Sequence, residues 1–411
     1  MKPMGAIPDW YTGEDGMLQI GGQSAAALVD TAGDTPLFVY DMAIVRATVA
    51  QLREAMPAGL QIHYAMKANP YPPLLAAMAG LVDGFDVASG GELARALTAG
   101  VAPDHISFAG PGKRDDELRA AIAAGITINV ESEGEAQRAL KIAYTLGRKP
   151  RLAVRVNPDF DLKGSGMKMG GGAKPFGVDA GRAAALARTL IAAGADWRGW
   201  HIFAGSQALD PLAIIEMQAQ TLALAARLSE EAGATPPLVN MGGGFGVAYF
   251  PGDMPLDPRP VGLALEEALD ARPAILKDSS FAIELGRYLV AEAGVYLTRV
   301  IDVKTSHGET FAVVDGGLHH QLAASGNFGT VIRRNYPIAV ANRFGAPPYG
   351  DPITIVGCLC TPLDRLGDKL HLPPVAPGDL IAIFLAGAYG ASASPAAFLG
   401  HPPALEMMVG A

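Results

Sequence analysis

The 411-residue chain is half hydrophobic and 18% charged, which supports two domains, or one large barrel plus a smaller unit, and argues against a disordered tract. Its net charge of −9 argues against a nucleic-acid or anionic-membrane surface, and no unbroken apolar stretch reaches membrane length. No basic-then-apolar leader opens the chain, and the only cysteines, Cys358 and Cys360, have neither disulfide geometry at i and i+2 nor metal-ligand spacing; the expectation is a reducing, cytoplasmic compartment and no metal.

In chain order, Thr35-Pro36-Leu37-Phe38-Val39-Tyr40 predicts a strand and 43–55 a helix. From about residue 60 to 290, short β-like runs alternate with alanine- and leucine-rich helical stretches. The β runs are 60–66, 84–88, 105–109, 126–131, 151–157, 197–203, 237–241 and 280–285; the helical stretches include 92–99, 115–124, 133–146, 180–193 and 211–232. Such alternation implies a parallel sheet with crossover helices, and eight units favour a closed (β/α)8 barrel over an open doubly wound sheet. After Arg287 the texture turns β-rich, at 288–303, 310–314, 353–360 and 379–385. The reading is a barrel over 36–288 and a second, β-rich domain from 1–35 and 289–411.

Barrel active sites lie at the C-terminal ends of the strands. The first predicted strand ends at Lys67, in His63-Tyr64-Ala65-Met66-Lys67-Ala68-Asn69-Pro70. A lysine at the end of a buried strand is costly unless paired or used, and desolvation there would free a neutral, nucleophilic amine; taken alone, it reads first as a lysine leaving the core for solvent. The second strand ends in Asp86-Val87-Ala88-Ser89-Gly90-Gly91-Glu92, and the fifth carries Arg155 and Asn157. The sixth runs into Phe203-Ala204-Gly205-Ser206-Gln207, the seventh into Asn240-Met241-Gly242-Gly243-Gly244, and the eighth ends in Glu284-Leu285-Gly286-Arg287. A glycine run lets backbone N–H groups approach an anion, and with Ser206 and Arg287 from adjacent strands it reads as a phosphate cup. A lysine on one side and a carboxylate on the other suggest pyridoxal phosphate, with Lys67 on the aldehyde and Glu284 on the pyridinium nitrogen.

With these motifs in this order, from Thr35 to Gly387-Ala388-Tyr389-Gly390-Ala391, the chain resembles the fold-type III pyridoxal-phosphate decarboxylases, the group of ornithine, arginine and diaminopimelate decarboxylases. The resemblance implies an alanine-racemase-like barrel with Lys67 as Schiff-base lysine and Glu284 as pyridinium partner. It implies Ser206, Gly243, Gly244, Arg287 and Tyr389 around the phosphate, and Asp86 and Arg155 as a supporting shell under the lysine. It also implies a homodimer with shared active sites, in which Cys360, in Cys360-Thr361-Pro362-Leu363-Asp364, comes from the partner subunit. Taken singly, Cys360 reads as a small core hydrophobe and Tyr389 as a packed aromatic; His319-His320 matches no motif and reads as core or surface. The glycine-rich segment 163–176 reads as a linker or as a basic lid.

Three departures bear on substrate. Phe203 stands where the family stacks a histidine on the cofactor ring, with His201 on the same strand face as an outside candidate. Thr361 replaces an acidic residue after the cysteine, which weakens the case for a free ornithine- or lysine-type substrate whose distal ammonium needs a partner, unless Asp364 serves. Leu285 replaces a proline without evident chemical consequence. The Cys-Thr-Pro-Leu-Asp variant and the tail Phe398-Leu399-Gly400-His401-Pro402, with Phe398 as a candidate wall of the substrate pocket, are similar to a subgroup acting on carrier-tethered glutamate or found in exopolysaccharide and exosortase gene clusters. The expected reaction is therefore decarboxylation at Cα, with Cys360 or Lys67 returning the proton. The alternatives are a diaminopimelate, ornithine or lysine decarboxylase, a racemase (against which Glu284 argues), and a non-catalytic cofactor-binding protein.

Overall fold

Every barrel strand alternates two kinds of buried residue, apolar ones that face helices and polar ones that face the lumen. The computed structural model describes residues 2–164, 166–327 and 333–410. Its parallel strands are β1 (Gln61–Ala65), β2 (Gly84–Val87), β3 (Ile106–Phe108), β4 (Thr127–Val130), β5 (Arg151–Asn157), β6 (Asp196–Ile202), β7 (Leu238–Asn240) and β8 (Ser280–Leu285). They pair in sequence order, and β8 closes back on β1, completing the predicted (β/α)8 barrel. Tyr64, Phe85, Phe108, Val154, Trp200 and Ile283 are core residues at one set of positions; His63, Asp86, Ser107, Asn129, Arg155, His201, Asn240 and Glu284 are equally buried at the other. Unpaired, such a polar lumen would be expensive. Neighbouring strands largely pair it: Ser107 donates to Asp86, Asn129 donates to Ser107 at 3.2 Å, and Arg155 pairs with Glu131 at 2.8 Å.

Helix starts follow strand ends closely. After β2, the Ser89 hydroxyl accepts from Glu92 N at 3.1 Å while the Glu92 carboxylate accepts from Ala88 N at 2.7 Å, so both ends of the capping sequence tie down free amides at the first turn of Gly90–Thr98. Pro211 opens the longest barrel helix, Pro211–Ala232, with the Asp210 side chain capping Leu212 N, and Gly233 closes it in a left-handed conformation at φ 68°.

The barrel unit comprises Val49–Val247 and Pro255–Gly286. The second unit comprises Met1–Thr48, Ala248–Met254 and Arg287–Ala411. Its sheet explains why the N-terminal segment reaches past residue 35. Leu37–Asp41 is the strand between Gly294–Ser306, antiparallel, and Leu405–Val409, parallel, and so is bonded on both edges by late segments of the chain. Gly294–Ser306 then pairs antiparallel with Leu380–Ile383 and Glu309–Val314, and Glu309–Val314 runs parallel to Ile353–Val356. Cys358 and Cys360 lie beyond the end of that last strand, free, the first half-buried and the second exposed. Among the described residues no helix is long and apolar enough to cross a membrane.

Candidate active site

Lys67 sits two residues past its strand, in the 3₁₀ turn Met66–Ala68 that follows β1. Met66 and Ala68 are buried, whereas Lys67 is exposed. The desolvated lysine expected from the sequence is thus corrected: the turn lifts the side chain off the strand and onto the rim. Its Nζ lies 6.0 Å from the centre of the Phe203 ring, which rises from the end of β6. Glu92, half-buried at the first turn after β2, is raised by burial, against the Ala88 N–H bond and the Lys67 charge, so it lies within electrostatic reach of the lysine.

Below the rim, Glu284 of β8 is buried, and its Oε2 lies 3.0 Å from Nε2 of His201 on β6. Burial alone would raise the Glu284 carboxyl. The His201 hydrogen bond, with the charges of Lys67, His201 and Arg155, outweighs burial and lowers it to about 2. The site therefore holds a fixed carboxylate at neutral pH. The sequence left open which of His201 and Phe203 faces the cofactor ring; in the structure His201 pairs with the carboxylate in the lumen and Phe203 stands beside Lys67. On the far side of β1, His63 Nδ1 lies 3.5 Å from Asp86 Oδ2, beyond good hydrogen-bond geometry. Desolvation lowers the His63 pKa, but Asp86, with Glu284 and Asp83, more than offsets it and raises the group overall. His63 and Glu92 were given no role from the sequence; the place of Glu92 at the end of the β2 motif 86–92, on the same rim as Lys67, was the available signal for it.

Beyond β7 the backbone at Gly242, Gly243 and Gly244 requires glycine. Gly242 and Gly244 have φ of 69° and 95°, and a Cβ on Gly243 would overlap the Glu284 carbonyl oxygen. Ser206 is half-buried just after β6. The 163–176 segment, apart from residue 165, which lies outside the described residues, is anchored on this exit: Met167–Lys168 pairs antiparallel with Gly205–Ser206, and Gly170 N donates to Ala204 O at 2.9 Å. It is tied down by backbone hydrogen bonds, unlike a free linker.

Arg155, bonded to Glu131, also lies over the Phe176 ring at 5.2 Å. In the β-rich unit, Arg287 stands between two tyrosines, 5.5 Å from the Tyr249 ring centre and 4.8 Å from that of Tyr389, and donates to the Tyr249 hydroxyl at 3.2 Å. Asp364 differs from its expected place facing substrate. It is buried, Oδ1 accepts from Leu318 N at 2.7 Å and Oδ2 from Leu359 N at 2.8 Å, so it pins two loops together. Thr361 is half-buried beside it, and Phe398 is exposed on the tail.

Residues 42–291 match the model of the pyridoxal-dependent decarboxylase family, pyridoxal binding domain. The chain belongs to this family. It is 38% identical to the L-glutamyl-[BtrI acyl-carrier protein] decarboxylase of Niallia circulans, over 91% of this chain and 89% of that one. It is 32% identical to the diaminopimelate decarboxylase of Methanothermobacter thermautotrophicus, over 98% and 93%. Among solved structures, the Helicobacter pylori diaminopimelate decarboxylase complexed with L-lysine superposes with a TM-score of 0.81 at 30% identity, covering 93% of this chain and 94% of that one. The protein is a pyridoxal-phosphate-dependent decarboxylase. Its own geometry fits the cofactor: a rim lysine, a glycine backbone that a Cβ would obstruct, and an ionised carboxylate suited to a protonated ring nitrogen.

Proposed function

We propose that this decarboxylase removes the α-carboxylate of an amino-acyl substrate whose distal end carries no free charge, a glutamyl unit presented on an acyl carrier protein. The observation that carries this reading is the near-full-length similarity to a decarboxylase named for that substrate. Thr361, where the family's free-amino-acid decarboxylases resemble one another in having an acid, supports it. A free diaminopimelate or ornithine would bring a distal ammonium that needs an anionic partner. Asp364 already accepts two backbone amides and serves poorly as that partner.

The residue roles belong to the same proposal. Lys67 holds the cofactor's aldehyde end, Glu284 its ring nitrogen and Phe203 its ring face. Ser206, Gly243, Gly244, Arg287 and Tyr389 hold its phosphate, with Asp86 and Arg155 supporting the lumen. When bound, pyridoxal phosphate supplies the electron-withdrawing ring that takes up the electron pair left as CO2 departs. Glu284, ionised and hydrogen-bonded by His201, keeps a negative charge fixed where the ring nitrogen must stay protonated. The Cα–carboxylate bond breaks, and a proton from Cys360 Sγ or Lys67 Nζ forms the new Cα–H bond. Two copies of the chain are proposed to share their sites, with Cys360 serving the other copy.

A CO2-release panel tests the reading. Purified protein is given glutamyl-carrier protein, glutamate, diaminopimelate, ornithine, lysine and arginine. Release confined to the carrier-bound substrate is expected; strong turnover of a free basic amino acid would refute it.

A further inference from the structure

The β-rich unit gathers three ligand-bearing side chains that the decarboxylase chemistry does not use. Glu309–Val314 and Ile353–Val356 run parallel, so their exits lie side by side. The first leads to His319 and the second to Cys358. Cys358 N donates to Gly316 O at 3.1 Å, and the Asp364 carboxylate joins the two loops at Leu318 and Leu359. The C-terminal tail then brings in His401, just after the 3₁₀ turn Phe398–Gly400. Cys358 Sγ lies 3.9 Å from both ring nitrogens of His401, and ligand atoms of His319, Cys358 and His401 all lie within 4.8 Å of one another.

His319 is the decisive member. Its relative exposure is 0%, yet among the described residues neither of its ring nitrogens has a hydrogen-bond partner. A buried polar atom left unpaired costs about 1–3 kcal/mol. Its neighbour His320 is fully engaged instead, with Nδ1 3.1 Å from the Tyr296 hydroxyl and Nε2 2.9 Å from the carbonyl of Pro402. His320 therefore anchors the tail beside His401 and leaves His319 turned to the thiol.

We propose that His319, Cys358 and His401 form a site for one divalent transition-metal ion of the zinc class. Imidazole nitrogen and cysteine sulfur are the donors such an ion prefers, at roughly 2.0–2.1 and 2.3 Å, which places tetrahedral donor atoms about 3.5 Å apart. The cluster needs to contract by about 1.3 Å at most to reach that spacing. Three protein ligands leave the fourth position to water or a small ligand. The ion would clip the tail to the two strand exits and set the loops bearing Cys360 and Thr361, which follow Cys358, and Phe398, which precedes His401.

The test is a titration of metal-stripped, full-length holoprotein with Co²⁺, then Zn²⁺, read by visible spectroscopy and elemental analysis. The expected result is one equivalent per chain, with tetrahedral d–d bands and a thiolate-to-cobalt charge-transfer band, all displaced by Zn²⁺. Cys358→Ser should abolish the charge-transfer band, and His401→Asn, at a half-buried position that leaves the core intact, should weaken uptake at least tenfold. Cys360→Ser should retain the band. Absence of stoichiometric uptake would overturn the proposal, as would a band that survives Cys358→Ser or disappears with Cys360→Ser. Neither outcome bears on the decarboxylase reading.

Discussion

His201 Nε2 and Glu284 Oε2 stand 3.0 Å apart inside the barrel, a pair formed across β7 and beneath the rim that carries Lys67. Folded Glu284 titrates at about 2, below its ordinary 4.5, so the ionised carboxylate stabilises the fold above about pH 4.5, and that contribution is lost as the pH falls towards about 2. Removing His201 leaves burial, which raises the group, less opposed. In His201→Ala the acid limb of the kcat profile is expected to move up by about 1–2 pH units, and acid unfolding should begin at correspondingly higher pH. A pH–rate profile and an acid-unfolding curve of the variant check both; an unmoved acid limb would show that Glu284 keeps its charge without the histidine.

Lys67 is exposed and its turn is held by buried neighbours, so its loss should be chemical and not structural. Lys67→Ala is expected to lose all borohydride-trapped cofactor and all measurable turnover, with stability unchanged within about 0.5 kcal/mol. Mass spectrometry of the reduced protein reads the first result and thermal unfolding the second. Cofactor trapped on another lysine would displace Lys67 from its assigned role.

How much of this was legible in the sequence depended on range. The eight strands could be read because each carries its apolar half locally, as Phe85 and Val87 do beside Asp86, and the candidate site residues could be placed at strand ends because those ends fall next to turn residues such as Gly242–Gly244. Depth within the lumen could not be read: His201 and Phe203 share a strand face, and only the position of Glu284 on another strand tells them apart. Leu37–Asp41 went to the wrong side of a domain boundary because its partners are more than 250 residues away in Gly294–Ser306 and Leu405–Val409. His319, Cys358 and His401 were invisible for the same reason, since each comes from a separate segment and no short spacing connects them.

Gly243 leaves no room for a side chain, since a methyl there would overlap the Glu284 carbonyl oxygen and lie 2.8 Å from Leu285 Cδ2. In Gly243→Ala the backbone after β7 must shift, and its amides with it. Cofactor affinity is expected to fall at least tenfold, as read by absorbance titration, while circular dichroism stays that of a folded barrel. Unchanged affinity would remove the glycine run from the phosphate site.

Lys113 tests the barrel's charged interior. It is buried, and its Nζ donates to Gly110 O and Asn129 O, each at 2.8 Å, and to Glu135 Oε1 at 2.7 Å. Burial lowers its pKa, against the charges of Glu135 and Glu131. Lys113→Met strands the Glu135 carboxylate and should cost about 3–5 kcal/mol in urea unfolding. Lys113→Met combined with Glu135→Leu should recover more than half of that loss, because no uncompensated charge is then left inside. A double variant no better than the single one would assign the cost to packing.

Thr361 is where the substrate proposal is most exposed to test. The side chain is half-buried, two residues beyond the backbone amide that Asp364 holds, and it carries no charge. Thr361→Glu restores an anion at this point. A hydrogen bond to a charged group contributes about 1.5–3 kcal/mol, equivalent to roughly tenfold or more in kcat/KM. Turnover of diaminopimelate or ornithine, relative to the glutamyl-carrier substrate, is therefore expected to rise at least tenfold in the variant. Measuring both substrates on both proteins gives the ratio directly. If the ratio does not move, the missing acid is not what sets substrate choice, and the determinant must be sought at another position.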